Sequence, residues 1–185
     1  MKKLIALVLA MLMLFSVAMA EVLNFGDFNL DVDLDWPGAV GDKVDGEVYL
    51  MFFPNYDDAA QTHANINVVW QDVVADVTTI DPTEFAEAQL DGCVAEYENS
   101  GIAVNNLELL TADCEELSGI PALTYMLYME CDYSKAGVDL TTSLITGQVV
   151  ISQPGIGTYI FTVTAGSMEE MAELANILNT LTWNF

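Results

Sequence analysis

Asp31, Asp33 and Asp35, at alternate positions, are the first residues whose spacing suggests chemistry. An Asp-x-Asp-x-Asp run opens the calcium loop of an EF-hand, where alternate oxygens converge because the loop curls around the ion. Here the interleaved residues are Val32 and Leu34, and Trp36 stands where that loop needs glycine. On an extended strand the same carboxylates point outward in a row about 7 Å apart, too far for one ion to gather them all. The row therefore reads as a solvated face. Weak calcium association there, aided by Asp57 and Asp58 or by Asp113, Glu115 and Glu116, is the only cofactor chemistry left open.

Catalytic constellations are thin. His63 is the only histidine, which excludes a histidine-rich metal site and any two-histidine mechanism. As a general base it would need a nucleophile beside it, and no serine sits in a G-x-S-x-G elbow. Paired carboxylates could hydrolyse a glycoside, but among 28 acids some pair reaches a suitable separation by accident. Gly155-Ile156-Gly157 lacks the third glycine and following helix of a dinucleotide loop and reads as a hairpin turn. Tyr125, Tyr128, Tyr133 and Tyr159 could line a concave surface; strand alternation assigns them to the core instead. Cys93, Cys114 and Cys131 are odd in number and match no zinc spacing, so they are no disulfide framework, though one pair stays open. Cys93 falls on the apolar face of a predicted helix, where it serves as a small hydrophobe.

The chain begins with Lys2 and Lys3, an apolar run from Leu4 to Phe15, and the small-x-small pattern Ala18-Met19-Ala20. These features read as a signal peptide over residues 1–20, cleaved after Ala20, with a retained anchor as the lesser reading. A soluble chain over 21–185 would follow, of a length typical of one domain. The leader takes two of the four lysines and none of the 28 acids, and the chain has no arginine. So strong a negative field repels phosphate backbones and anionic headgroups, which excludes nucleic acid and leaves an unidentified protein or a cationic ligand as partner.

The elements that must carry these residues follow from periodicity. Phe28, Leu30, Val32 and Leu34 alternate with acids as a half-buried strand closed by Trp36-Pro37-Gly38, and Gly41 to Gly46 reads as loop. Glu47 to Phe53 and Asn65 to Val74 are two more strands. Asp81-Pro82-Thr83-Glu84 starts a helix that should stop at Gly101, with Phe85, Ala86, Leu90, Cys93, Val94 and Tyr97 as its apolar stripe. Four strands, Val104 to Leu110, Ala122 to Tyr133, Leu140 to Ser152 and Thr158 to Ala165, should run as an antiparallel meander. Ser167-Met168-Glu169-Glu170 is a capping box, with Glu170 expected to return to the cap residue, and it opens a helix buried through Met171, Leu174, Ala175, Leu178 and Leu181. The order βββαββββα predicts an α+β fold: a mainly antiparallel sheet of about seven strands with two packed helices, α/β/α sandwich-like.

Two stretches, FGDFNLDVDLDWPG at 25–38 and GTYIFTVTAGSMEEMAELANILNTLTW at 157–183, together with this order, resemble the PsbP-like superfamily, which includes the DcrB-like bacterial envelope proteins. The resemblance implies a single PsbP-like domain, an extracytoplasmic place in the bacterial cell envelope, and a non-catalytic accessory or binding role; no catalytic residue carries over. The expected function is thus an exported, non-enzymatic binding domain acting through an acidic surface. The alternatives are an extracellular hydrolase using acidic residues and a calcium-stabilised structural domain.

Overall fold

The computed structural model describes residues 20–33, 38–53 and 64–184. The expectations for the leader before Ala20, and for Asp35, Trp36, Asp57, Asp58 and His63, lie outside the described residues. Strand alternation sets the first layer. β1 (Ala20–Asn24) and β2 (Phe28–Asp33) pair antiparallel, and β2 buries Phe28, Leu30 and Val32 while Asp31 stays in solvent. The sequence order suggests that β2 belongs to the main sheet, but it does not join it. It forms the centre of a separate three-stranded sheet, flanked by β1 and by the short C-terminal strand β10 (Thr182–Trp183). Only two residues long, β10 is too short to show a period.

The second sheet has seven strands, all paired antiparallel, in the order β3-β4-β5-β9-β8-β7-β6. These are β3 (Gly38–Val40), β4 (Val48–Phe52), β5 (Asn65–Gln71), β6 (Ala103–Leu117), β7 (Ile120–Asp132), β8 (Thr141–Gln153) and β9 (Gly157–Ala165). The meander from β6 to β9 is as the sequence predicts. β6 runs seven residues past its expected end at Leu110, because register shifts at Val104/Asn106 and Leu109/Thr111 break the alternation that would have revealed it. Ser118 and Gly119, with φ of 54° and 77°, make the tight turn into β7.

Helix α1 (Pro82–Asn99) starts where the sequence says. Asp81 caps it by accepting from the Thr83 and Glu84 amides at 2.9 and 3.0 Å. Helix α2 (Met168–Leu178) is capped by Ser167, which accepts from the Glu170 amide. The Glu170 carboxylate reaches one residue further back than a capping box requires, accepting from Gly166 N at 2.8 Å rather than from Ser167.

The two helices cover opposite faces of the large sheet. Alternate residues of β7 decide this: Tyr125, Leu127, Met129 and Cys131 pack beneath α1, whereas Ala122, Met126 and Tyr128 face the other way. That other face carries the main core, where Ile151, Tyr159, Phe161 and Val163 meet Phe28 and Leu30 of the small sheet and Met171, Leu174 and Leu178 of α2. Burying each such side chain contributes about 1.5–3 kcal/mol, which makes this layer the principal adhesive of the fold. No helix among the described residues is long and apolar enough to cross a membrane.

Candidate functional site

The small sheet and α2 do not cover all of the sheet face they pack on. Between α2 and the β6–β7 hairpin a groove of about 320 Å³ remains. Its floor is apolar, built from Ala122, Met126, Gly147, Val149 and Val163. Gly147 keeps the floor deep, since a Cβ there would lie 3.6 Å from Met171 Sδ. Met171, Ala175 and Leu178 of α2 form one wall. The opposite rim belongs to β6, where Thr111, Asp113 and Glu115 stand across from Met126, Thr124 and Ala122 and so share their face. Glu116 and Asn179 extend the rim. The Ser118 hydroxyl, at the hairpin tip, donates to the Leu181 carbonyl and fixes the distance between hairpin and helix end.

The arrangement suits binding rather than bond-making. Floor and wall offer apolar contact, and the rim carboxylates Asp113, Glu115 and Glu116 are exposed, with no lysine lining the groove among the described residues. Of these residues the sequence marks Asp113, Glu115 and Glu116 only as helpers of calcium, and Met171, Ala175 and Leu178 only as a buried helix stripe. The legible signal is the spacing of Asp113 and Glu115, two apart on a strand and hence on one face.

Titratable groups elsewhere are shifted in ways that oppose nucleophilic chemistry. Burial pushes the Cys131 thiol up to about 11, with Cys93 adding to the effect, and burial likewise raises the Cys93 thiol. The Tyr125 and Tyr159 hydroxyls are raised for the same reason, so all four groups stay protonated at neutral pH. Cys93, Cys114 and Cys131 are all free thiols, with Cys114 exposed and Cys131 buried.

One partly exposed polar network joins the β1–β2 turn to the loop before β4. Lys43 Nζ lies 2.6 Å from Asp27 Oδ2, 4.4 Å from the Trp70 ring centroid and 4.9 Å from that of Tyr159. The Tyr159 hydroxyl also donates to Asp27. Burial disfavours the Asp27 carboxylate, yet the hydrogen bonds from Lys43 and Tyr159 and the Lys43 charge outweigh it and hold its pKa below the ordinary aspartate value. This network closes on itself and ties the loop before β4 to β9.

Of the candidate metal residues, Asp31 is exposed on β2, while the side chain of Asp33 and the whole of Asp35 lie outside the described residues. No three of His, Cys, Asp and Glu gather as a metal site among the described residues. Tyr125 and Tyr159 are buried, as alternation requires, while Tyr128 and Tyr133 are half-buried.

No family model matches the chain, and no curated protein matches it by sequence. Solved structures do. The yeast (Saccharomyces cerevisiae) Ran-binding protein Mog1p is similar with a TM-score of 0.45 at 14% identity, over 91% of this chain and 96% of that one. Cyanobacterial PsbP (CyanoP) from Synechocystis sp. PCC 6803 is similar with a TM-score of 0.57 at 11% identity, again over 91% of this chain and 96% of its own. Because the likeness to CyanoP runs through nearly the whole of both chains, the two-sheet, two-helix architecture described above is the PsbP-like fold.

Proposed function

We propose that the protein is an exported, non-enzymatic accessory domain of the cell envelope that binds a partner protein by docking a lysine- or arginine-bearing apolar segment in the groove between α2 and the β6–β7 hairpin. The observation that carries this reading is the pairing of an apolar floor with a carboxylate rim in one groove. Apolar side chains of the partner would bury against Met126, Val149 and Met171, while its cations meet Asp113, Glu115 and Glu116. Electrostatics of this kind sets partner choice and encounter rate more than raw affinity. The leader-like N-terminus supports export, and the fold supports a binding role by resemblance.

The test pairs the wild-type protein with the D113N/E115Q/E116Q variant as baits in the envelope fraction of its own cell. Wild type is expected to capture a basic partner, less of it at high salt, and the variant to lose most of it. Equal capture by both baits would overturn the groove; turnover of a substrate by the purified protein would overturn the non-enzymatic role.

A further inference from the structure

Three sulfur-bearing side chains share the layer between α1 and β7, on the opposite face of the sheet from the groove floor. Cys93 Sγ of α1 lies 3.7 Å from Met129 Sδ of β7, and Cys131 follows Met129 by two residues on the same face. All three belong to one cluster, walled by Leu144, Ile102, Leu107, Tyr97 and Tyr133. Met129 and Cys131 are fully buried there. We propose that Cys93, Met129 and Cys131 form a binding site for a soft monovalent metal ion, copper(I) by its chemistry.

Geometry and ligand softness both point this way. A metal–sulfur bond of about 2.3 Å with tetrahedral angles sets two ligand sulfurs about 3.8 Å apart. The observed 3.7 Å separation therefore admits a shared ion with little movement of either side chain. A thioether beside two thiols favours copper(I): calcium takes oxygen ligands, and zinc, which also binds thiolates, closes a four-ligand set that this cluster does not supply. Both thiols are free. Binding replaces their two protons with one cation, so the site goes from two neutral thiols to a bis-thiolate complex of net charge −1 and releases two protons to solvent.

Proton release makes affinity rise with pH. The groups facing the cluster are Glu96 and Tyr97 on α1, Tyr125 on β7 and Tyr133 after β7. Burial, with the neighbouring cysteines adding to it, keeps the tyrosine hydroxyls protonated, so the released protons are those of the two thiols. Cys93 is only half-buried and provides the point of entry.

The inference is independent of the groove and is tested without any partner. The reduced, purified protein is titrated anaerobically with copper(I) against bicinchoninate. One equivalent should be withheld from the competitor, with near-ultraviolet thiolate absorption, and retention should strengthen between pH 6 and 8. Cys114→Ser should leave binding intact. Cys131→Ser should abolish it, and Met129→Leu, which keeps the core volume and fold, should weaken it about ten- to a hundredfold. The proposal is overturned if all copper stays with the competitor, if Cys114→Ser removes binding, or if Met129→Leu binds as tightly as wild type.

Discussion

Lys43 is the side chain at which several polar interactions converge. Its ammonium meets a carboxylate and two aromatic faces at once, in a chain otherwise dominated by acids. Lys43→Met should lower stability by about 1 kcal/mol, since the pair is a third exposed and solvent discounts its attraction. The pH dependence has a definite sign. Asp27 has a folded pKa below its unfolded one, so the stabilisation is full above about pH 4 and is lost as pH falls through that range. The difference in unfolding free energy between wild type and Lys43→Met, measured by urea titration from pH 7 to 3, should therefore shrink towards acid. A difference constant over that range would exclude the network. Neither Lys43 nor Asp27 is marked by any sequence motif; the pair meets only because the small sheet folds over the large one. Asp31, by contrast, was readable as solvated from alternation alone.

At the scale of elements, local signals were strong wherever a cap or a period was complete. Asp81-Pro82 and Ser167 both cap helices at the residues expected. The failures have physical causes. β6 was truncated because two register shifts scramble its faces, and with it went the groove, whose rim lies in the part that was missed. The small sheet was missed because β1 and β10 owe their existence to pairing with β2, a tertiary fact. The β8–β9 turn was legible, and its second glycine is doubly required. Gly157 has φ of 104°, and a Cβ on it would lie 2.5 Å from Gln71 O and 2.6 Å from Trp70 Nε1, whose proton goes to Ile156 O at 2.8 Å. Gly157→Ala should cost about 2 kcal/mol or more, while Gly155→Ala, with open space around it, should cost about 1 kcal/mol. Thermal unfolding of the two variants checks the order; equal losses would mean that the turn tolerates a side chain against Trp70.

For the whole molecule, charge and shape act on different properties. A formal charge of −24 on 185 residues opposes compaction through self-repulsion, and screening relieves it. The melting temperature should rise with sodium chloride, and a calcium chloride series matched in ionic strength should coincide with it if the Asp31 row is simply solvated. A larger rise in calcium would indicate a bound ion there. Shape determines where the field is used. The same carboxylates that repel one another across the surface sit, at Asp113, Glu115 and Glu116, beside apolar surface that no described residue covers. The most direct measurement of that claim is hydrogen exchange on the protein alone and with its captured basic partner. Partner binding should slow exchange in Thr111–Leu117 of β6 and Ala175–Asn179 at the end of α2 while leaving α1 unchanged. Protection confined to α1 or to the small sheet, with the groove exchanging as fast as before, would contradict the account.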